Sequence, residues 1–288
     1  MDYLLHIGVL VCISGILALS LNLVVGETGL VSVAHAAFYG IGAYVSALLL
    51  TSAGINFFLA ALMGMAFSGF AALLIGAVLA RFKGDFYMLV SLGFTVIVYS
   101  IMLNWQSLTN GPLGIAAIPR PVLFGFAFST TASYFLLVLV ALALTYGFCV
   151  FLTRSSFGRV LHGIREDEEA TAIFGYRTTH YKVLIFMISA MLAGLAGAFF
   201  ASYLTFIDPS SFIVPISIFI LATVILGGLA SHRGVIVGAA LLIALPEALR
   251  FVGFPSEIAA QMRQLVYGLI LILLMLYRPQ GLFGKFKL

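Results

Sequence analysis

The fold is decided by a charged stretch in the second half of the chain, Arg154–Lys182, with the sequence RSSFGRVLHGIREDEEATAIFGYRTTHYK. This stretch holds nine of the chain's 24 charged residues, of which 14 are basic and 10 are acidic. Long apolar segments lie on both sides of it, and charged side chains are costly inside a bilayer. We therefore expect this charged segment to lie in water between two membrane spans, where it offers a docking surface to a soluble partner.

A short helix is predicted within the charged segment. Four carboxylates, residues 166–169, precede an Ala/Ile/Phe run that stops at Gly175. Carboxylates stabilise the first turn of a helix because the dipole is positive there, and glycine is typical of the end. The predicted helix has about eight residues and a length of roughly 12 Å. Apolar residues recur at helical spacing around it and need a covering surface: Val160, Leu161, Ile164, Ile173 and Phe174.

The composition of the whole chain is that of a polytopic membrane protein. Hydrophobic residues make up 63% of the sequence and charged residues 8%, with a mean hydropathy of +1.19. Ordinary soluble domains have about 25% charged residues. The net charge of +4 does not indicate nucleic-acid binding, because the basic residues lie in the breaks between apolar segments.

Nine apolar segments are candidate membrane spans, for which about 20 residues are needed, and the seventh of them is shorter than the others. The second begins with polar residues and contains two glycines, which predicts a broken or re-entrant helix. The predicted segments are Tyr3–Val25, Leu30–Leu50, Ile55–Ala80, Phe86–Leu103, Ala132–Thr153, Val183–Leu204, Ile216–Leu229, Val235–Val252 and Ile258–Tyr277.

The basic residues predict how these spans are oriented. Arg81, the charged segment, Arg233 and the basic tail after Arg278 all follow the positive-inside rule if the N-terminus is outside and the C-terminus is cytoplasmic. We therefore expect one all-α transmembrane domain over residues 1–288, with about eight to ten spans. Residues 154–182 form its cytoplasmic loop and residues 104–131 its wetter extracytoplasmic loop.

Small residues and polar residues suggest how the helices meet. Ala190, Gly194 and Ala198 form a stripe on the sixth segment, which favours close helix packing in lipid. Four polar residues fall at the junction of the first two segments, namely Asn22, Glu27, Ser32 and His35. Two interpretations stay open for these four: they bond the freed backbone of a broken helix, or they line a substrate path.

The sequence contains no familiar catalytic motif. Gly284-Lys285 is followed by Phe286, so it is not a nucleotide-binding P-loop, and no zinc-protease motif occurs. The five histidines are scattered, and Cys12 and Cys149 lie inside apolar segments. We expect neither a catalytic site nor a metal site nor a bound cofactor in this chain.

Four ordered motifs resemble one family of membrane proteins. Glu169-Ala170-Thr171, Gly175 and Ile185 match most of the E-A-A-x-x-x-G-x9-I-x-L-P signature of ABC importer permeases, although Thr171 and Met187-Ile188 depart from it. The longer motifs resemble the permeases of branched-chain amino acid (leucine/isoleucine/valine) ABC transporters. They are Gly29–Tyr44, Gly158–Tyr176, Lys182–Ala198 and Val224–Leu241.

This resemblance implies an assembly and a role for the charged segment. A second permease subunit would pair with this chain, two ATPase subunits would use ATP and Mg²⁺ on the cytoplasmic side, and an extracytoplasmic binding protein would deliver the substrate. Gly158–Gly175 would be the coupling helix, seated on an ATPase subunit in the inner membrane of a bacterium or archaeon. The residues expected to couple to the ATPase are Arg159, Ile164, Arg165, Glu166, Asp167, Glu169, Phe174 and Gly175.

Alternative functions differ in class. Relatives within the same family are thought to carry urea, short amides or other amino acids, and the spans contain no charge cluster that would demand a strongly ionic substrate. A stand-alone secondary transporter would need carboxylates in mid-span, yet Glu27 and Asp85 both lie at span boundaries. An intramembrane enzyme would need a nucleophile or metal set that the sequence lacks.

Overall fold

The computed structural model describes residues 2–82, 84–123 and 125–250, together with residues 265, 268, 269, 272, 276 and 281–284. The described chain is a bundle of long helices, as the sequence predicts. Its helices are α1 Asp2–Thr28, α2 His35–Ser52, α3 Phe57–Leu79, α4 Asp85–Asn104, α5 Gln106–Thr109, α6 Thr131–Arg154, α7 Ser156–Glu166, α8 Glu168–Ile173, α9 Thr178–Leu204, α10 Val214–Gly227 and α11 His232–Arg250.

Six of the described stretches are long and apolar enough to cross a membrane: α1, α3, α4, α6, α9 and the stretch Pro209–Gly227, which ends with α10. The predicted ninth span, Ile258–Tyr277, lies outside the continuously described residues. Leu282 and Phe283 donate backbone hydrogen bonds to the carbonyls of Leu226 and Gly227. Residues 282 and 283 therefore lie beside the end of α10.

Helices α1 and α9 form the centre of the bundle. Their apolar windows are 72% and 61% buried, against 22% for α6. The small-residue stripe on α9 packs where the sequence predicts close approach: a Cβ on Gly194 would meet the Gly64 carbonyl of α3 at 2.9 Å. A Cβ on Gly197 would meet the Tyr39 carbonyl of α2 at 2.1 Å. Helices α2, α3 and α9 thus touch through their backbones.

The break between the first two spans differs from the prediction. Helix α1 continues through Gly26 and Glu27 to Thr28, and α2 begins at His35 rather than at Leu30. Gly29 ends α1 because it adopts a positive φ of 72°, whereas Gly26 is the site of a close approach. A Cβ on Gly26 would lie 2.7 Å from the backbone nitrogen of Ala230.

The break between α10 and α11 is shorter than predicted. Helix α10 begins at Val214 because Pro215 fits the first turn of a helix, and it ends at Gly227. Gly228 has a φ of 106° and Ala230 a φ of 58°. Helix α11 begins at His232, so the predicted interruption Ser231–Gly234 lies mostly inside the helix.

The helix ends define two ends of the bundle. The charged end carries the last turns of α1, α3, α6 and α10, the first turns of α4, α9 and α11, and the helices α7 and α8. At the opposite end, residues 104–131 contain α5 and three short strands, β1 Ile115–Ala116, β2 Val122–Leu123 and β3 Phe126–Ala127. Strand β1 pairs antiparallel with β4, Phe206–Ile207, and β2 pairs with β3.

Candidate functional site

The charged segment folds into two helices rather than one. Helices α7 and α8, which we call the two-helix unit, meet at Asp167. Asp167 has an extended backbone, and its carboxylate accepts hydrogen bonds from the backbone N–H groups of Glu169 and Ala170, both at 2.9 Å. This is the geometry of a helix N-cap.

The predicted boundaries of the short helix were therefore wrong at its start. Glu166 ends α7, and α8 begins at Glu168 and has six residues. The predicted end is confirmed, because Gly175 follows α8 with a positive φ of 89°. Two carboxylates, Glu168 and Glu169, lie in the first turn of α8.

The two-helix unit has an inner and an outer apolar surface. Val160, Leu161 and Ile164 of α7 are buried inside the chain, Ile164 with 5% exposure. Ile173 and Phe174 at the end of α8 are 85% and 81% exposed. Ile164 therefore supports the unit from within, while Ile173 and Phe174 are the apolar side chains that remain uncovered.

Polar residues surround the uncovered end of α8. Arg159, Glu166, Asp167 and Glu169 are exposed. Arg159, Glu166 and Phe174 line a pocket of about 470 Å³ between the two helices, which is open to solvent. The surface thus combines two large apolar side chains with charges of both signs.

One ion pair joins the unit to α9. Lys182 Nζ lies 2.7 Å from Glu168 Oε1, and the Lys182 side chain is only 3% exposed. Thr178 donates to the same carboxylate at 3.1 Å, and Lys182 also donates to the Ala80 carbonyl at 3.4 Å. The start of α8 is therefore fixed to the first turns of α9 and to the end of α3.

A second polar cluster joins the unit to α1 and α11. Glu27, with 2% exposure, lies 3.1 Å from Nε2 of His162 on α7 and 3.9 Å from Nε2 of His232 on α11. Asn22 donates to Nδ1 of His232 at 3.0 Å and accepts from the Ala230 N–H at 3.1 Å. Because Nδ1 of His232 accepts, its Nε2 carries a hydrogen, which it donates to the Thr153 hydroxyl at 3.2 Å.

Arg165 is the third side chain of the unit in this cluster. Its guanidinium donates to the carbonyl of Gly26. Burial lowers the pKa of Arg165, while the carboxylates of Glu27 and Glu166 raise it. Arg165 is therefore bound to the end of α1, and its role is internal to the chain.

Hydroxyl groups satisfy the backbone of the break between α1 and α2. The Val33 N–H donates to Ser91 at 2.9 Å, and Thr95 donates to the Val33 carbonyl at 2.8 Å. The Ala36 N–H donates to Ser217 of α10 at 2.8 Å. Ser32 accepts from the Ala34 N–H at 3.2 Å. Irregular backbone inside a membrane protein needs such partners, and Ser32 supplies one of them.

His35 lies at the inner end of this break. The Ser189 hydroxyl donates to the Ser20 carbonyl, so it accepts the hydrogen of His35 Nε2 at 2.9 Å. Nδ1 of His35 is then an acceptor, and it has no hydrogen-bond partner among the described residues. The side chain is 1% exposed, and Ser189 lies close to the middle of α9. His35 thus presents an unsatisfied polar atom deep in the bundle.

The charged end also carries an open pocket that reaches Glu27. Its volume is about 640 Å³, and its lining includes Arg154, His162, His232 and Arg233. Of the four residues predicted for a substrate path, Glu27 is the one that lines a pocket described at this end.

Within the described residues, no group of three or more His, Cys, Asp or Glu side chains could hold a metal ion.

Sequence reasoning missed the partners in these clusters. The sequence gives no role to His162, His232 and Lys182, and it indicates for Glu168 only a place in the first turn of a helix. Ser91, Thr95, Ser189 and Ser217 look like parts of apolar spans. A charged residue close to the end of an apolar segment was the one available signal. The contacts themselves join residues up to 210 positions apart, which no local pattern contains.

The chain is similar to proteins named as permeases. The family described as "Branched-chain amino acid transport system / permease component" matches residues 3–275. The high-affinity branched-chain amino acid transport system permease protein LivM of Salmonella typhimurium is 38% identical over 93% of this chain and 67% of its own length. LivM of Escherichia coli is 36% identical over 96% of this chain and 69% of its own length.

A second group of relatives is more distant. The permease protein BraD of Pseudomonas aeruginosa, also named for high-affinity branched-chain amino acid transport, is 27% identical over 94% of this chain and 91% of its own length. No solved structure matches this chain significantly. The family membership of the chain therefore rests on its sequence relatives.

Proposed function

The chain belongs to the family of permease components of branched-chain amino acid transport systems, and from this premise we propose that it works as the membrane-spanning subunit of an ATP-driven importer. It pairs with a second, related permease subunit. Two ATPase subunits bind at the charged end, and an extracytoplasmic binding protein delivers the substrate at the opposite end. ATP and Mg²⁺ are used by the ATPase subunits, and this chain itself binds no cofactor.

The observation that carries this proposal is the uncovered end of the two-helix unit. Ile173 and Phe174 expose large apolar surfaces at the end of a short helix whose other side is packed on the chain. Apolar side chains ringed by charges are typical of a protein interface. The unit therefore fits the role of the coupling helix, with an ATPase subunit covering Phe174.

The eight residues expected to couple divide into two groups. Arg159, Glu166, Glu169 and Phe174 are exposed beside the proposed interface, and Gly175 ends α8 there. Ile164, Arg165 and Asp167 act within the chain instead, as a buried support, a tether to α1 and a helix cap. Only the first group is proposed to touch the ATPase.

The substrate path is proposed to pass the break between α1 and α2. Ser32 bonds a backbone group within this break, and Asn22 of α1 bonds the backbone of Ala230 in the α10–α11 break, so we assign both a structural role. His35 has an unsatisfied acceptor, Nδ1, and Glu27 faces an open pocket. We assign His35 to the path, whereas Glu27 is paired with His162 of the two-helix unit and is not assigned to it. An amino acid with an apolar side chain suits a route that offers few charges within the spans.

The charged end is proposed to face the cytoplasm of a bacterial or archaeal cell. Most described basic residues of the breaks, including Arg81, Arg165 and Arg233, lie at this end, as the positive-inside rule requires, and Arg120 lies at the opposite end. The N-terminus is then outside, and residues 282 and 283, which lie beside the end of α10, are inside.

Reconstitution tests the function. This chain is purified with its partner permease and ATPase subunits, placed in liposomes, and assayed for uptake of labelled leucine with the binding protein present. We expect uptake that requires ATP and is competed by isoleucine and valine. Competition by urea, short amides or other amino acids instead would assign a different substrate to the importer. Uptake by this chain alone on a proton or sodium gradient would establish a secondary transporter and refute the importer.

A pair of variants, compared in the reconstituted importer, tests the docking surface through the affinity of the chain for the ATPase subunits. Phe174→Ala removes the exposed ring at the end of α8, whereas Phe151→Ala removes a 72% exposed ring from the outer face of α6. Loss of about 1–3 kcal/mol at a central interface residue weakens ATPase binding by roughly fivefold to 150-fold. We expect this loss for Phe174→Ala and a normal affinity for Phe151→Ala.

A further inference from the structure

We propose that two contacts, Glu168 with Lys182 and Glu27 with His162, transmit the movement of the two-helix unit to the two central helices of the bundle. These four side chains are positioning residues for transport. They touch neither substrate nor nucleotide, and they hold α8 to α9 and α7 to α1. This inference rests on the proposed function and adds the route by which docking moves the spans.

The two contacts lie on different helices of the unit. Glu168 opens α8 and binds Lys182 in α9 at 2.7 Å, while His162 lies in α7 and contacts Glu27 at the end of α1 at 3.1 Å. The Asp167 corner lies between them. The unit is thus fixed to the bundle at two points. A displacement of α8 is therefore transmitted to α9 and α1.

Local helix stability does not explain the two charges on the spans. Glu27 lies in the last turn of α1, where the helix dipole is negative, and Lys182 lies near the start of α9, where it is positive. Each charge is therefore at the unfavourable end of its helix. Both are also almost fully buried, at 2% and 3% exposure, which makes them costly without partners. The partners come from the two-helix unit in both cases.

The two helices reached by these contacts are the central ones. α1 and α9 have the most buried apolar windows of the six candidate spans. Beyond the contacts, Ser189 of α9 is hydrogen-bonded both to the Ser20 carbonyl of α1 and to His35 at the start of α2. Rigid displacement of α9 and α1 therefore acts directly on the break proposed for the substrate path.

The test uses the complete importer in liposomes and measures leucine taken up per ATP hydrolysed. Glu168→Gln and Glu27→Gln keep the size of each side chain and remove its charge. Asp85→Asn is the control, because Asp85 is an exposed carboxylate at the same end and lies outside the two-helix unit. The retention of ATPase subunits on the purified complex is measured in parallel.

We expect both variants to retain the ATPases and to hydrolyse ATP, while uptake per ATP falls by about fivefold to tenfold, the usual size of a coupling between sites. The exchanged pair, Glu168→Lys with Lys182→Glu, should restore the ratio to near that of the unaltered chain. If Glu168→Gln lowers the yield of folded chain, the exchanged pair carries the test by itself, and its failure to couple would overturn the inference.

Other outcomes separate this inference from the proposed function. Normal uptake per ATP in both variants, with the ATPases retained, would overturn the inference and leave the importer intact. Loss of the ATPases from the variants would also overturn it, because the contacts would then serve docking. An unaltered chain that never retains ATPase subunits would refute the proposed function itself.

Discussion

At the scale of single residues, the central packing depends on glycines whose missing Cβ lets two helix backbones touch. Gly197 of α9 is the clearest case, because an added Cβ would stand 2.1 Å from the Tyr39 carbonyl. A Cβ added to Gly147 of α6 would instead meet open space. Both glycines lie inside long helices and differ in what faces them.

We expect Gly197→Ala to destabilise the chain, since overpacking a tight contact costs about 1–3 kcal/mol or more. Gly147→Ala should leave stability unchanged or slightly raised, because alanine favours the helix. The measurement is the midpoint temperature of thermal unfolding in detergent for both variants. Equal midpoints would contradict the close packing of α2 on α9.

The hydroxyls around the α1–α2 break allow a second comparison. Thr95 donates to the Val33 carbonyl across the bundle, whereas Thr223 donates to the Phe219 carbonyl of its own helix. Both side chains are buried. Thr95→Val leaves a buried carbonyl without this donor, so we expect a loss of about 1–3 kcal/mol that Thr223→Val does not show.

The same thermal unfolding assay checks this expectation. A smaller effect of Thr95→Val than of Thr223→Val would mean that the Val33 carbonyl has another partner and that Thr95 does not hold the break.

The sequence allowed the break to be predicted but not its bonding. Ser32 and His35 stand out because polar residues interrupt an apolar pattern. Their environment depends on Ser91, Thr95, Ser189 and Ser217, which lie on other helices and interrupt no pattern. A lone serine or threonine is common in an apolar span, so its contact across the bundle gives no local signal.

At the scale of elements, the apolar cores of the helices were predictable and their ends were not. The predicted Phe86–Leu103 became Asp85–Asn104, within one residue at each end. The larger errors came where a single residue fixes the end through tertiary geometry. Gly29 ends α1 in place of Gly26, and Asp167 divides the charged segment into two helices.

The Asp167 corner gives a prediction at this scale. Asp167→Ala removes the cap of α8 and should cost about 1 kcal/mol, whereas Asp167→Asn keeps an acceptor and should cost less. Hydrogen exchange of the backbone amides of residues 169–174 measures the effect. We expect faster exchange in Asp167→Ala than in Asp167→Asn. Identical exchange in the two variants would contradict the capping role.

At the scale of the whole molecule, the charged end and the opposite end must face different compartments. The buried positions of Cys12 and Cys149 make labelling of single introduced cysteines practicable. Ser129 is exposed at the opposite end and His180 at the charged end. Membrane-impermeant maleimide should label Ser129→Cys in intact spheroplasts and His180→Cys only after lysis. The reverse pattern would contradict the proposed orientation.

The sequence predicted the class of the whole molecule correctly. Of the nine predicted spans, six are long and apolar enough to cross a membrane among the described residues. Composition and the positive-inside pattern suffice for an all-α membrane bundle, because few charges and long apolar runs leave no soluble alternative. The partner subunits could be expected only from the family resemblance. A chain folded by itself leaves Ile173 and Phe174 exposed, and the subunit that we propose to cover them is not encoded in this sequence.

The most direct measurement of the central claim is photo-cross-linking in native membranes from the uncovered end of α8. A photoreactive phenylalanine analogue replaces Phe174 in one variant and Phe151 in the control. We predict a covalent product between position 174 and an ATPase subunit, identified by mass spectrometry, and none from position 151. Cross-links from position 174 to lipid alone, in membranes where the chain is transport-competent, would contradict the assignment of the two-helix unit as the coupling element.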